Sequence, residues 1–371
     1  MVVYTALAER LRRSIQEGEY RPGQLIGSEH ELARQENISR MTVRRAVELL
    51  VNEGLVERRP GKGLYACQSP VSTELVQVIA GNLCWEPCMQ VARGVQMAAS
   101  LMGIQVQLYD AHGDANLDVE VVRQLPKGAA RGAVIVSLHD AAFNEAVYGL
   151  KTQGFPFVLV DQRLQDIAVP SVMADNYSGG YQAGQTLLAA GHQRIAFIGD
   201  LIASTVRDRL NGLRDAIGDA SLPFDRSLVL DLVVEKDRLG DWSTRIDECV
   251  RDVMGRPNGP TAIFCSCDAV ARTAYLALAA MGLSIPQDVS VVGFDNDPLA
   301  EWLTPPLTSV RQPFQEMGQA AMELLRKRMD DPTVPVEHRV LPVQLIPRGS
   351  TAPMRDAATE AVTVQYEEIL P

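Results

Sequence analysis

Residues 28–63 read SEHELARQENISRMTVRRAVELLVNEGLVERRPGKG, and this stretch decides how the first part of the chain folds. Ser28 stands three residues before Glu31, the spacing at which the two side chains satisfy each other's backbone N–H groups at a helix start, so a helix is expected through Leu32 and Ala33 until Asn37 ends it in a short turn. Ser39 can cap the next helix. Advancing each residue by about 100° places Val43, Ala46, Val47 and Leu50 on one side and Arg44, Arg45 and Glu48 on the other. A packed back, a basic front and a start made of Ser39, Arg40 and Thr42 suit a major groove, where arginine reads guanine O6 and N7 or grips phosphate. After Gly54, residues 55–59 and 64–66 read as two short strands around Pro60-Gly61-Lys62-Gly63. Glycine in such a turn lets backbone approach a phosphate, and Arg58, Arg59 and Lys62 supply charge. The spacing of a nucleotide-binding P-loop is absent.

Upstream, Leu7, Leu11 and Ile15 form one stripe of an amphipathic helix that Gly18 closes, and Arg21-Pro22-Gly23 is a turn. The whole chain has 371 residues, a net charge of −11 and a mean hydropathy of −0.02. Residues 1–67 carry eleven Lys or Arg against nine Glu, a local charge of +2, so the remainder carries −13. An acidic protein with a basic module suits a polyanion; a solvated helical surface of mixed charge is the plainer reading of the same residues. With 46% apolar residues the composition excludes disordered and collagen-like chains, and the length suits two or three folding units. Residues 1–8 show no basic segment followed by an apolar run, and no stretch approaches a membrane span, so a cytoplasmic protein without membrane contact is expected. Its six cysteines then sit in a reducing compartment as free thiols. Neither Cys84 with Cys88 nor Cys265 with Cys267 has the Cys-x2-Cys spacing of a metal knuckle, so no metal and no cofactor is expected.

The ordered run of Gly18-Glu19-Tyr20-Arg21-Pro22-Gly23, Ser28-Glu29, Glu31-Leu32-Ala33, Ser39-Arg40-Met41-Thr42-Val43-Arg44-Arg45-Ala46, Glu53-Gly54-Leu55 and Gly61-x-Gly63 resembles the winged helix-turn-helix of the GntR family. The resemblance covers residues 1–67 and implies DNA binding by the third helix and the wing, with Ser39, Arg40, Thr42, Arg44 and Lys62 where that family meets DNA. Gly27 stands where the family usually has proline, and Leu64 where it has threonine; neither change removes a basic contact. Together with the charge reading, Arg34, Ser39, Arg40, Thr42, Arg44, Arg45, Arg58 and Lys62 form the expected DNA-binding set.

Residues 68–75 have no apolar period and read as a linker. Beyond them, apolar runs at 76–80, 106–109, 133–136, 157–160, 195–198, 262–265 and 289–294 alternate with helical patterns. Near-continuous Val and Ile strands separated by crossover helices indicate parallel sheets covered on both faces. Residues 76–350 exceed one such sheet, so two doubly wound lobes with a cleft are expected, followed by a tail at 351–371 that lacks a clear period and is expected to lie partly loose. Ligands bind at the carboxyl ends of parallel strands. The residues following those ends are Asn82, Trp85, Asp161, Arg163, Arg207, Arg209, Cys267, Asp268, Asp295, Asn296 and Asp297. Carboxylates, an arginine, an amide and tryptophans make up the set that binds a sugar, pairing with vicinal hydroxyls and stacking on the ring face.

This large region resembles the lactose/galactose repressors with their sugar-binding-protein (periplasmic-binding-protein-like type I) fold. The carrying residues are Pro156 to Asp161, Ala174-Asp175-Asn176, Gly191 to Ala196, Arg209-x2-Gly212, Gly240-Asp241-Trp242-Ser243, Val289 to Asp295, Pro305 to Thr308 and Gln312. The resemblance implies that Arg209 grips sugar hydroxyls, Trp242 stacks on a ring and Asp295 is a ligand carboxylate, with Asp161 a weaker match. Cys267 stands where the family has an asparagine that often touches ligand. With the GntR-like reader in place of the family's own helix-turn-helix, the arrangement is similar to the hybrid arabinose repressors. The expected ligand set is Asn82, Trp85, Asp161, Arg163, Arg209, Trp242, Cys267, Asp268, Asp295 and Gln312. His192 precedes a strand with no nucleophile at a recognisable spacing and reads as structural. The expected function is a homodimeric transcription regulator, a repressor of carbohydrate-utilisation genes that binds double-stranded operator DNA and is released by a sugar. A purine or another metabolite as effector, a solute-binding protein and a sugar-processing enzyme are the alternatives.

Overall fold

The structure, a computed structural model, describes residues 3–16, 19–21, 23–52, 54–67, 74–136, 141–164, 167–232 and 242–354. Residues 68–73 of the expected 68–75 linker, Gly18, Pro22, Glu53, the pair Gly240 and Asp241, and residues 355–371 lie outside the described residues, while Leu75 at the end of that linker already belongs to a strand. The chain divides into two compact units, one built on residues up to Leu75 with Ala99–Gln105, the other on Val76–Ala98 and residues from Val106 onward.

The first unit contains α1 (Val3–Gln16), β1 (Leu25–Gly27), α2 (Glu29–Gln35), α3 (Arg40–Asn52), β2 (Val56–Arg59) and β3 (Gly63–Ala66). The apolar stripes legible in the sequence meet in one core: Leu7, Leu11 and Ile15 from α1, Leu32 from α2, Val43, Ala46, Val47 and Leu50 from α3, and Leu55, Val56, Leu64 and Ala66 from the hairpin. The capping box forms at Ser28, whose Oγ accepts from Glu31 N at 3.2 Å while its own N–H donates to Glu31 Oε2 at 2.7 Å. Ser39 Oγ accepts from Thr42 N at 3.1 Å and caps α3. The hairpin is a three-stranded sheet of order β1-β3-β2. The sequence reading has no strand at β1, because three residues carry no period; pairing of Leu25 with Tyr65 makes it one. That pairing also explains Gly63, whose φ is +108° and whose Cβ would lie 2.9 Å from Leu25 Cδ1 and 3.0 Å from Gly27 O. The glycine is required by the sheet itself.

The second unit runs β4 (Leu75–Ala80), α4 (Glu86–Leu101), β5 (Gln105–Asp110), α5 (Ala115–Gln124), β6 (Gly132–Val136), α6 (Ala141–Thr152), β7 (Phe157–Val160), β8 (Ser171–Ala174), α7 (Asn176–Ala189), β9 (Ile195–Gly199), α8 (Ser204–Asp219), β10 (Val229–Asp231), α9 (Trp242–Met254), β11 (Ala262–Cys265), α10 (Asp268–Ala280), β12 (Ser290–Asp295), β13 (Thr308–Arg311), α11 (Phe314–Asp330), β14 (His338–Leu341) and β15 (Gln344–Ile346). Two six-stranded sheets result, ordered β14-β8-β7-β6-β4-β5 and β10-β9-β11-β12-β13-β15, and they are the two expected lobes. Strand pairs are parallel except β13 with β15. The chain passes between lobes three times, at β8 to α7, β13 to α11 and β14 to β15. Every residue of β6, β7 and β11 is buried, which is why these strands read as unbroken apolar runs.

His192 is structural: Nδ1 pairs with Thr261 Oγ1 and Nε2 with Ser290 Oγ, each at 2.9 Å. The start of the expected loose tail is in fact pinned, because Ala352 N donates to Ser290 Oγ at 3.1 Å and Met354 N to Ala190 O at 2.7 Å. Backbone hydrogen bonds to the lobe surface hold it, and these have no sequence period.

Helices α7 and α8 are in backbone contact. A Cβ on Gly180 would fall 2.0 Å from Arg209 O, and one on Gly212 2.1 Å from Tyr177 O. Gly180→Ala is therefore expected to cost about 3 kcal/mol of stability through forced separation of the helices, whereas Gly218→Ala, on the same α8 with open space around it, is expected to gain about 0.5 kcal/mol. Chemical denaturation of the two variants checks this.

Candidate functional sites

In the first unit, the outward side of α3 carries Arg40, Met41, Arg44, Arg45 and Glu48, all exposed. Arg44 Nε lies 3.4 Å from Glu48 Oε1. Arg58, reaching across from β2, places Nη2 3.2 Å from Glu29 Oε1, 3.9 Å from Glu48 Oε1 and 3.3 Å from Arg44 O. Glu48 thus holds two of the expected DNA-binding arginines together on one face. Arg45 is turned toward α1, with its guanidinium 5.1 Å from the Tyr4 ring centre. The Ser39 and Thr42 hydroxyls bond each other at 2.8 Å within the cap. Lys62 is exposed at the hairpin tip and Arg34 is exposed on the last turn of α2.

In the second unit the centre is Arg209, on α8 and 4% exposed. Its Nε donates to Asn176 Oδ1 at 2.8 Å, Nη1 donates to Ser266 O, and the guanidinium lies 3.9 Å from the Phe294 ring centre. Asp295 Oδ1 is 3.8 Å from Arg209 Nη1 and accepts from Gln312 Nε2 at 2.7 Å. Asp161 ends β7 in the opposite lobe with φ +56°. Its Oδ1 and Gln312 Oε1 are both buried and find no hydrogen-bond partner in the protein. A cavity of 330 Å³ opens here, walled by Gln90 of α4 from one lobe and by Asp295, Asn296, Trp302, Arg311 and Gln312 from the other. It lies at the small end of ligand-site volumes.

Burial sets the protonation of this cluster. It pushes the Asp161 carboxyl up to about 6 against the pull of Arg209, and Asp295 up to about 7 against Arg209 and the Gln312 amide. It pushes Asp268 up to about 8, with Asp295 adding to the rise. Asp268 stands behind the cavity: Oδ1 accepts from Ser309 Oγ at 2.7 Å and Oδ2 from Asp297 N at 2.8 Å, so both oxygens are committed to holding the loop after β12. This positioning within the protein is what the strand-end position alone did not reveal. Cys267 caps α10, and burial pushes its thiol up to about 12, which keeps it neutral.

Asn82 Oδ1 accepts from Cys84 N at 2.8 Å in the turn into α4; Trp85 and Trp242 are about half exposed, and Arg163 is exposed. Sequence reading missed Asn176, Ser266 and Phe294, which orient Arg209, and Gln162, 1% exposed with both amide atoms unpaired. Asn176 lay inside a stretch singled out for fold; a backbone carbonyl and a ring face give no sequence signal.

Two outcomes follow from these charges. A carboxyl raised in the folded state stabilises the protein below its unfolded value and loses that contribution as pH rises through the folded value, so the ligand-free melting temperature should fall between pH 5 and 8.5. Asp161→Asn should flatten that fall and raise the melting temperature at pH 8, as differential scanning calorimetry would read. Glu48→Gln, which frees Arg44 and leaves Arg58 to Glu29, should tighten binding to non-specific duplex by about fivefold in low-salt anisotropy titrations.

The sequence of residues 3–65 matches the family of bacterial regulatory proteins, gntR family, and residues 185–351 match the periplasmic binding protein-like domain. The chain is 27% identical over 360 residues to the arabinose metabolism transcriptional repressor of Geobacillus stearothermophilus, covering 94% of this chain and 97% of that one. It is 31% identical over 327 residues to the HTH-type transcriptional regulator CelR of Thermobifida fusca, covering 84% and 89%. Among solved structures, it is similar to a transcriptional regulator CelR–cellobiose complex, with 29% identity, a TM-score of 0.66 and coverage of 84% and 90%. It is also similar to a LacI family transcriptional regulator from Enterococcus faecium with bound ribose, with 27% identity, a TM-score of 0.64 and coverage of 76% and 100%. With a winged reader at one end and a two-lobed cleft at the other, the chain belongs to the family of HTH-type transcriptional regulators that join a gntR-type DNA-binding domain to a LacI-family, periplasmic binding protein-like effector domain.

Proposed function

We propose that this regulator is a cytoplasmic repressor of carbohydrate-utilisation genes, that it holds operator DNA as a homodimer, and that a sugar seated between the lobes releases it. The observation that carries the effector class is the pair of buried acceptors without partners, Asp161 Oδ1 and Gln312 Oε1, beside the Arg209–Asp295 pair. An unsatisfied buried acceptor costs about 1 to 3 kcal/mol. A polyhydroxyl molecule supplies hydroxyl donors to both and accepts from Arg209, so its binding removes a cost already built into the cleft. The sugar complexes of two related regulators, one with ribose and one with cellobiose, agree with that chemistry.

Asp161 and Gln312 belong to different sides of the cleft, so a ligand that satisfies both favours a closed arrangement of the lobes. Coupling of about 1 to 3 kcal/mol between closure and operator affinity gives roughly 5- to 150-fold control. Pairing of two chains through the large units is supported by Met89 and Met97 of α4 and by Trp85 just before it, apolar side chains left exposed. Two readers then meet two half-sites of a near-palindromic operator. No reaction is assigned to the cleft: its arginine and carboxylates face one another, and Cys267 is held as the neutral thiol.

A thermal-shift screen of monosaccharides, disaccharides and their phosphates, with purine bases and nucleosides alongside, tests the effector class. A rise in melting temperature with a sugar supports the proposal, and a rise only with purines overturns it. Arg209→Ala should weaken the effector at least tenfold by calorimetry while leaving operator affinity within twofold in gel shifts. Arg44→Ala should reverse that pattern.

A further inference from the structure

We infer that Met41 is a base-reading residue of this regulator and that it recognises a thymine through the 5-methyl group. The inference rests on the DNA-binding reading of the first unit.

Met41 is 71% exposed in the first turn of α3. The core-facing residues of that helix, Val43, Ala46, Val47 and Leu50, are wholly buried and fix its orientation. At about 100° per residue, the direction opposite their centre passes within about 10° of Met41, so this side chain points straight away from the core. Leu25, also exposed, is in a different position, because its Cδ1 lies over Gly63 in the hairpin. On the same turn the Ser39 and Thr42 hydroxyls are tied to each other and to the helix cap. That leaves Arg40 and Met41 as the side chains of the turn free to reach outward, with Arg44 one turn behind.

The first turn of a recognition helix is where side chains reach base edges. In the major groove the bases are distinguished by hydrogen-bond donors and acceptors, and the 5-methyl of thymine is the one bulky apolar group that projects among them. An unbranched apolar side chain set against a guanine, adenine or cytosine edge leaves that polar group without a partner, which is costly. Against a thymine methyl it buries apolar surface and costs nothing. Arg40 and Arg44 beside it anchor the turn to phosphate or guanine and fix the depth at which the thioether lies. Met41 therefore discriminates by exclusion, whereas its arginine neighbours discriminate by hydrogen bonding.

Uracil keeps thymine's pairing and lacks only the methyl, so it isolates the contact. The full-length protein is used to enrich duplexes from a randomised pool, and each thymine of the enriched site is then replaced by uracil in turn. Wild type should lose about fourfold in affinity at one thymine per half-site, the loss expected for one methyl no longer buried. Met41→Ala should be indifferent to that replacement, and Met41→Leu, which keeps an apolar side chain, should retain the loss. Wild type indifferent to uracil at every position overturns the inference, and so does a Met41→Ala protein that keeps the same sensitivity. A pool that yields no bound duplex overturns the DNA-binding reading itself, and the inference with it.

Discussion

The effector unit depends on a single buried cation. Arg209 cannot give up its charge, and a buried charge persists only where hydrogen bonds and opposite charges replace water. Asn176 supplies an amide oxygen just after the first passage between lobes, Ser266 a carbonyl after β11, Phe294 a ring face, and Asp295 a carboxylate at the end of β12. These come from three places, the start of α7, the end of β11 and the end of β12, so the arginine fixes the relative positions of those ends. The near contact of α7 and α8 at Gly180 and Gly212 places the Arg209 backbone where its side chain can reach them.

One positive charge faces more carboxylate than it can neutralise. Asp161, Asp295 and Asp268 are all pushed above the usual carboxylate range by burial, and Arg209 pulls down only the first two. The ligand-free cleft therefore holds destabilising electrostatics, and Asp161 Oδ1 and Gln312 Oε1 add unpaired acceptors. A site built this way gives up folding stability for affinity, since the groups that weaken the empty form are those a polyhydroxyl ligand satisfies. Asp268 serves differently, because its two oxygens shape the loop that carries Asp295 and Asn296 at positive φ, and Gly293 leaves room for them.

The reader uses charge with more restraint. Glu48 lies between Arg44 and Arg58, and Tyr4 takes the face of Arg45. Such pairs at the surface contribute little to stability. Their effect is on orientation, because they keep long basic side chains extended on the face and lower its attraction for arbitrary polyanions. That leaves more of the discrimination to side chains that touch bases.

The two-unit organisation, the capping box at Ser28, the core stripes of α1 and α3 and the Val- and Ile-rich strands were legible from residue order alone. Periodicity and caps are local, acting over at most two helical turns or one strand. The strand-end positions of Asp161 and Asp295 could also be read, because ligands bind at the carboxyl ends of parallel strands, whereas Arg209, inside α8, was marked by the family resemblance. The short strands β1, β8 and β15 could not, since they lack a marked apolar run and exist only through their pairing partners. The same reason hid the Asn176, Ser266 and Phe294 support of Arg209, the commitment of Asp268 to Ser309 and Asp297, and the capture of Arg45 by Tyr4. Sequence determined which residues could be chemical, and three-dimensional packing decided which of their atoms remain free, because a hydrogen bond between residues tens of positions apart leaves no trace in local spacing.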